Sequence, residues 1–208
     1  MMNFRTSVEL PKEEVEIRHS DRLMLFGSCF SENIGNRLAE NKFVCEVNPF
    51  GILYNPLSIS SALKQVMNRK VYVKEDLFEA GGMWHSWMHH GSFSSDVSLD
   101  DCLQKINSRL KKASDFLATA DWLIVTWGTS YVYRYEGDVV GNCHKCPEKM
   151  FVRERLSVEA VCEEWNALLR SIKCHFPELK VMFSVSPIRH AKDGMHGNQL
   201  SKATLLLA

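Results

Sequence analysis

Short apolar runs alternate with amphipathic segments along most of the chain. Three of these runs predict buried strands, at residues 23–26, 122–126 and 179–185. Between them, apolar residues recur every three or four positions, which is the spacing of one face of a helix. The predicted helices begin near Ser31, Pro56, Ser98 and Ser157. Strands that alternate with helices indicate an α/β fold with a parallel sheet covered on both faces.

Turn signals divide this pattern further. Residues 27–30 are predicted to link the first strand to the first helix, because Gly27 ends the apolar run and helical spacing follows. A second strand is expected from Phe43 to a turn at residues 48–51, and residues 131–140 predict a hairpin. The sequence contains no linker, repeat or low-complexity tract, so residues 1–208 are expected to form a single domain.

Composition and charge narrow the class of partner. With 208 residues and 45% hydrophobic content, the chain is long enough to bury a sizeable core. Its 25 basic residues balance 25 acidic ones, so no net field attracts nucleic acid or an anionic membrane surface. The expected partner is a small or neutral molecule.

Cysteine usage and the amino terminus bear on the compartment. The seven cysteines are odd in number and lie singly within apolar segments, as reduced thiols do. The amino terminus lacks the apolar run of a secretory signal, and no stretch approaches the roughly 18 apolar residues that span a bilayer. We therefore expect a soluble cytoplasmic protein that does not enter a membrane.

Reactive side chains gather where the predicted strands end. In open parallel sheets, ligands bind in the crevice beyond the carboxyl ends of the strands. Four segments are expected there, at residues 27–30, 48–51, 128–130 and 186–190. They bring a thiol, several hydroxyl groups, an imidazole and glycines to one edge, which is therefore the candidate site.

The same segments resemble the sequence blocks of the GSCFA family. The first block stands here as Gly27-Ser28-Cys29-Phe30-Ser31. Further matching segments, in the same order as in the family, are residues 48–57, 87–94, 142–147 and 186–203. GSCFA proteins are similar to the SGNH/GDSL esterases. The resemblance implies a flavodoxin-like three-layer sandwich and the hydrolysis or transfer of an acyl ester, with a small-molecule or carbohydrate ester as substrate.

The resemblance also implies a nucleophile in the first block. Laid against the Gly-Asp-Ser-Leu block of a GDSL enzyme, Gly27 matches the glycine, and Cys29 then stands at the nucleophile position. Cys29 is the first candidate and Ser28 the second. Backbone N–H groups at a helix N-terminus favour a thiolate, which makes a cysteine nucleophile feasible. The alternative interpretation is that Cys29 is a small residue packed under the turn.

Further site residues follow from the same matches. Gly51 matches the second-block glycine of the oxyanion hole, and Gly128 with Thr129 matches the third block. There Thr129 or Ser130 replaces the usual Asn, and a hydroxyl donates one proton where an amide donates two. The block at residues 142–147 implies a role in the site for two more residues, Asn142 and His144.

The general base is harder to assign. The family's late Asp-x-x-His block does not occur in these 208 residues, so the chain is expected to stop before it and to lack the last elements of the fold. His190 is the best substitute because it follows a predicted strand at the candidate site, with Asp193 as a conceivable orienting partner. Alternatively, His190 and Arg189 bind substrate or cap the strand end.

Two other motifs contain residue types that bind metal ions. His85 and His89 are four residues apart, but the glycines around them argue against the helix that would present both to one ion. Cys143 and Cys146 have no second pair to complete a zinc site. We therefore predict neither a metal nor a cofactor. The histidine-rich segment is expected to line the substrate site, or else to form stacked aromatics in the core.

A second functional class stays open at this point. The same crevice would hold a glycan or an acyl group without turning it over, as a non-catalytic binding module. Two features favour that alternative: the Asp-x-x-His block is absent, and Thr129 stands in place of the usual Asn.

Overall fold

The computed structural model describes residues 16–208. Within them, four parallel strands pair in the order β2-β1-β5-β9. With strands numbered in chain order, these are β1 (Arg22–Gly27), β2 (Val44–Val47), β5 (Trp122–Trp127) and β9 (Lys180–Val185). The sheet forms the middle layer of a flavodoxin-like three-layer α/β fold, which confirms the predicted fold class.

Helices follow the strands, as the periodicity predicts. They are α1 (Cys29–Glu40), α2 (Pro56–Met67), α3 (Leu99–Leu117), α4 (Val158–His175) and α5 (Gly194–Leu207). The side chains of Asn55, Ser98 and Ser157 cap α2, α3 and α4 by accepting backbone N–H groups. The predicted start of α1 at Ser31 is wrong by two residues, because Ser28 caps the helix and Cys29 is already helical.

The two faces of the sheet are buried by different helices. On one face, Leu23, Leu25 and Trp122 are buried against Leu38 of α1 and its surroundings. On the other face, strand residues pack against apolar residues of α2, α3 and α4. These strand residues are Met24, Phe26, Leu123 and Val125. Alternate residues of the two central strands, β1 and β5, therefore face opposite layers, as in a sheet covered on both sides.

Two small antiparallel sheets are added to this core. Strands β3 (Phe78–Ala80) and β4 (Met83–His85) form a hairpin between α2 and α3, where the sequence analysis predicts no strand or helix. Strands β6 (Tyr131–Tyr135), β7 (Asp138–Val140) and β8 (Val152–Arg155) pair in the order β7-β6-β8. The predicted hairpin at residues 131–140 is therefore present, and β8 extends it. Short 3-10 turns lie at Lys74–Asp76, Gly91–Phe93, Glu148–Met150 and Ala191–Asp193.

The three-stranded sheet lies between β5 and α4 in the chain. Its entry and exit meet, because Leu156 N–H donates a hydrogen bond of 2.9 Å to the carbonyl oxygen of Ser130. The chain therefore leaves the central α/β core at Ser130 and returns to it beside the same residue, at Leu156.

Two of the predictions concern membrane spans and a secretory signal. None of the helices in residues 16–208 combines the length and apolar character needed to cross a bilayer. The prediction that the amino terminus is not a secretory signal falls mainly on residues 1–15, which lie outside the described residues.

Candidate active site

Gly27 forms the turn between the central strand β1 and helix α1. Its φ is +147°, and a Cβ there would lie 2.3 Å from the carbonyl oxygen of Thr126 on β5. Its N–H donates to Asn48 Oδ1 at 2.9 Å, which joins the ends of β1 and β2. Glycine permits both the backbone angle and the close approach, so the chain enters α1 directly at the carboxyl edge of the sheet.

Ser28 and Cys29 differ in how they are presented at this turn. Ser28 is only 2% exposed, and its Oγ accepts the N–H of Phe30 at 3.3 Å, so the hydroxyl acts as the helix cap. Cys29 is the first residue of α1 and is partly exposed. Its thiol therefore lies at the end of the helix where unpaired N–H groups favour negative charge.

Gly51 lies in the turn that follows β2. Its φ is +76°, and a Cβ there would lie 2.3 Å from the Cβ of His90. Its N–H donates to the carbonyl oxygen of Asn48 at 2.7 Å. In this structure the Gly51 amide is therefore engaged within its own turn, and binding an oxyanion would require it to exchange that partner.

Gly128 and Thr129 follow β5 at the same edge. Their N–H groups both donate to the carbonyl oxygen of Tyr54, at 2.7 and 3.1 Å. The hydroxyl of Thr129 donates to Asp193 Oδ2 at 3.1 Å and lies 3.0 Å from Ser201 Oγ. Thr129 is 8% exposed, so its polar groups hold the loop together in this structure.

His190 lies at the end of the loop after β9 and is half-buried. Its ring packs edge-on against Tyr54, with 5.4 Å between the ring centroids, and its Nε2 is the atom that a Cβ on Gly128 would approach most closely. Burial lowers the pKa of His190, and the positive charge of Lys202 lowers it further, while Asp193 and the Gly128 backbone act in the opposite direction. A neutral imidazole can accept a proton.

Asp193 does not orient His190 in the way that its position in the sequence suggested. Its carboxylate forms a salt bridge with Arg153 of β8 and accepts the hydrogen bond from Thr129. The backbone N–H of His190 instead donates to Asn198 Oδ1 at 3.1 Å. Asp193 therefore ties the three-stranded sheet to the loop after β5.

Tyr54 is the residue that sequence reasoning missed. Its ring contacts His190, and its carbonyl oxygen accepts the N–H groups of Gly128 and Thr129. Burial raises the pKa of Tyr54, and the negative charges of Cys29 and Glu32 raise it further. The signal available in the sequence was its place in the matching segment 48–57.

A cavity of about 260 Å³ opens beside Tyr54. Its lining includes Thr129, Asn142 and His190, which the sequence singled out, and also Tyr131, Tyr133 and Arg153 of the three-stranded sheet. Ser28, Cys29 and Gly51 lie at the adjoining turns and are not part of this lining. Tyr54 lines the cavity, and its ring packs against His190 there.

Three further predicted residues lie in different surroundings. Asn142 lines the cavity, and its Oδ1 accepts the N–H of His144 at 2.8 Å. The His144 ring turns away to Ser86, whose carbonyl oxygen is 2.8 Å from Nε2, and it lies 4.4 Å from the His85 ring. Arg189 is exposed and does not line the cavity.

The histidine-rich segment is packed into the protein. His85 Nδ1 lies 2.6 Å from Ser94 Oγ, and His89 Nδ1 lies 2.9 Å from Ser86 Oγ. The fully buried His89 ring stacks on Phe50 at 4.3 Å. In residues 16–208, no group of three or more His, Cys, Asp or Glu side chains is placed to hold a metal ion.

One of three comparisons with known proteins gives a match. A search of curated proteins and a search of solved structures each found no match. The model of the GSCFA family matches residues 22–208, which run from the start of β1 to the last residue of the chain. This chain is therefore a member of the GSCFA family.

Proposed function

We propose that the protein is an SGNH-type hydrolase that cleaves acyl esters through a covalent intermediate on Cys29. The observation that carries the proposal is the contrast between two neighbours at the carboxyl end of β1. The Cys29 thiol is partly exposed at the first position of α1, whereas the Ser28 hydroxyl is buried and caps the helix. Cys29 is thus the better nucleophile of the two.

The proposed reaction proceeds in two steps. His190 takes the thiol proton of Cys29, and the thiolate attacks the acyl carbonyl. A thioester forms as the ester C–O bond breaks, and the leaving alcohol takes the proton back from His190. Water then attacks the thioester, the same residue takes the proton of that water, and the thiolate leaves. We assign the proton transfers to His190, which burial favours in its neutral form between the two steps.

The N–H of Cys29 is our first candidate for stabilising the oxyanion, because the first N–H groups of a helix have no partner within the helix. The Gly51 N–H and the Thr129 hydroxyl are further candidates. Both now donate to other protein atoms, so they would contribute only by exchanging those partners for the substrate.

The cavity supports a substrate with a polar ring, such as an acylated sugar unit. Three tyrosines and the polar side chains of Asn142 and Arg153 contribute to its lining. The tyrosines are Tyr54, Tyr131 and Tyr133. Aromatic walls with a few placed polar groups are a usual way to bind such ligands. A volume of about 260 Å³ leaves room for a single ring-sized group.

A non-catalytic binding module is the second candidate function. It is favoured by two observations: within the described residues, no hydrogen bond joins Cys29 to His190, and the Gly51 and Thr129 donors are already engaged. Such a protein would bind the acylated sugar in the same cavity without cleaving it.

Alkylation of the cysteines tests the nucleophile. Iodoacetamide at neutral pH, followed by mass spectrometry, should modify Cys29 faster than Cys174. Cys174 is the more exposed thiol, but it lies in the last turn of α4, at the opposite end of its helix from the position that Cys29 has in α1. A labelling rate for Cys29 no greater than that of Cys174 would count against a Cys29 nucleophile.

Turnover of short aryl esters completes the test. Cys29→Ala should lower the rate by about 100-fold or more, whereas Ser28→Ala should keep most of it and lose about 1 kcal/mol of stability with the helix cap. The opposite pattern would move the nucleophile to Ser28. No turnover in the unmodified protein, together with binding of an acylated sugar detected by NMR, would support the binding module.

A further inference from the structure

Lys202 on α5 joins the ends of two neighbouring strands of the central sheet. Its half-buried ammonium group donates to the carbonyl oxygen of Gly128 and, at 2.6 Å, to that of Ser186. Gly128 directly follows β5 and Ser186 directly follows β9. A single cation therefore bridges the two loops that carry Thr129 and His190 into the candidate active site.

Neighbouring side chains on α5 hold the same two loops. Asn198 Oδ1 accepts the backbone N–H of His190, and Ser201 Oγ accepts the N–H of Ser130 at 2.7 Å. Positions 201 and 202 lie three and four residues after position 198, so both are on the same side of the helix as Asn198. This face is an anchor for both loops, and Lys202 is its charged member.

The charges around His190 come from several elements. Lys202 lies on α5, and Asp193 and Lys192 lie in the 3-10 turn, with Asp193 paired to Arg153 of β8. Tyr54 packs against the ring from the segment before α2. Burial lowers the pKa of the Lys202 amino group, and Asp193 acts in the opposite direction.

We propose that Lys202 is a positioning residue, which fixes the loops after β5 and β9 relative to each other and so holds the His190 imidazole against Gly128 and Tyr54. Backbone carbonyl oxygens carry partial negative charge, so each attracts the half-buried ammonium group of Lys202. Because one ammonium group binds both carbonyl oxygens, it holds the two loops close together. The proposal relies on the proposed function solely for the claim that His190 transfers protons.

The test follows the His190 imidazole by NMR through a pH titration, with the resonance assigned by its loss in His190→Asn. Lys202→Met removes the ammonium group, and Lys202→Gln also removes the charge but keeps a donor, in case the methionine variant does not fold. In either variant the titration midpoint of His190 should rise by about half a pH unit or more, because a nearby positive charge is gone. Lys202→Arg should keep the midpoint near that of the unmodified protein.

Lys180→Met is the matched control, because Lys180 is an exposed lysine at the opposite end of β9. It should leave the midpoint unchanged. The proposal is overturned if a folded Lys202→Met or Lys202→Gln protein keeps the His190 midpoint and the backbone amide shifts of Ser130 and His190. This outcome does not depend on ester turnover, so it is distinct from failure of the proposed function.

Where turnover is detected, a second readout applies. Lys202→Met should lower kcat by about tenfold or more with little change in KM, since the geometry of the reacting groups is lost and the cavity walls are kept. The pH profile of kcat/KM should move with the His190 midpoint. A change in KM alone would assign Lys202 to substrate binding and overturn the positioning role.

Discussion

Gly27 lies between the last buried side chain of β1 and the first turn of α1, and its carbonyl oxygen accepts the N–H of Leu53 at 3.1 Å. Its backbone angle and its approach to Thr126 leave no room for a side chain. Gly81 also has a positive φ, of +58°, but nothing lies within 4 Å of the position that its Cβ would take. Replacing each glycine by alanine therefore separates the energetic cost of the steric contact from the cost of the backbone angle alone.

Gly27→Ala should lower the free energy of unfolding by about 3 kcal/mol, because β1 and β5 must separate to admit the methyl group. Gly81→Ala should cost about 1 kcal/mol, the usual penalty for a left-handed residue with a side chain. Urea unfolding monitored by tryptophan fluorescence measures both. Equal costs for the two variants would show that the contact with Thr126 is unimportant.

Among single residues, the sequence predicts the turn at Gly27 but not the contacts that Tyr54 and Lys202 make. Gly27 ends an apolar run, and this pattern predicts the end of β1. The predicted start of α1 at Ser31 is two residues late, because the pattern does not reveal that Ser28 caps the helix. The roles of Tyr54 and Lys202 depend on backbone carbonyl groups that come together only after folding. Hydrophobic spacing carries no information about such contacts.

The edge strand β2 is attached to helix α3 by a buried charge. Glu46 of β2 is 1% exposed and forms a salt bridge with Arg109, and Lys112 lies 3.5 Å from it. Arg109 Nη2 also donates to the carbonyl oxygen of Val47 at 2.8 Å. A buried carboxylate is stable only while it is paired, so this contact links the strand and the helix.

Arg109→Met should destabilise the protein by about 3 kcal/mol, because the buried Glu46 carboxylate keeps only its weaker pair with the largely exposed Lys112. Adding Glu46→Leu should recover most of that loss, since an apolar pair avoids the cost of removing charge from water. Lys111→Met is the control on the same helix, and its exposed pair with Asp115 should contribute less than about 0.5 kcal/mol. Thermal and urea unfolding measure all three, and a cost of Arg109→Met as small as that of Lys111→Met would contradict the expectation.

Elements with a continuous apolar run or a regular apolar spacing in their sequence were predicted, and elements without either were missed. Strands β1, β5 and β9 and helices α2, α3 and α4 each carry a continuous apolar run or a regular apolar spacing. Strand β8 has the sequence Val-Arg-Glu-Arg, with no buried residue, so no period identifies it. The hairpin β3–β4 has three residues in each strand, too few to show an alternation.

At the scale of the whole molecule, buried histidines couple folding to pH. Burial is the largest cause that lowers the pKa of His89, to about 3, and the charges of His144 and Lys70 lower it further. The pKa values of His144 and His190 are lowered as well. Because the unfolded chain binds these protons more readily, the stability is fully present above about pH 6.5 and is lost as the pH falls toward 3.

His89→Gln should flatten this dependence. Between pH 7.5 and pH 5.0 the unmodified protein should lose about 2 kcal/mol through His89 alone, and the variant should lose that much less. His175→Gln, at an exposed position in the last turn of α4, should keep the original dependence. Urea unfolding at the two pH values provides the comparison, and identical pH dependence in all three proteins would rule out His89 as the cause.

The hydrogen bond between Ser130 and Leu156 has a consequence for how such a protein can evolve. It closes the base of the three-stranded sheet, which contributes Tyr131, Tyr133 and Arg153 to the cavity. The tip of this sheet, at Glu136 and Gly137, should therefore accept a longer or shorter turn without displacing β1 or β9. Substitution of Tyr131 or Tyr133 would likewise change which ligand the cavity prefers, while the turn at Gly27 would keep its geometry.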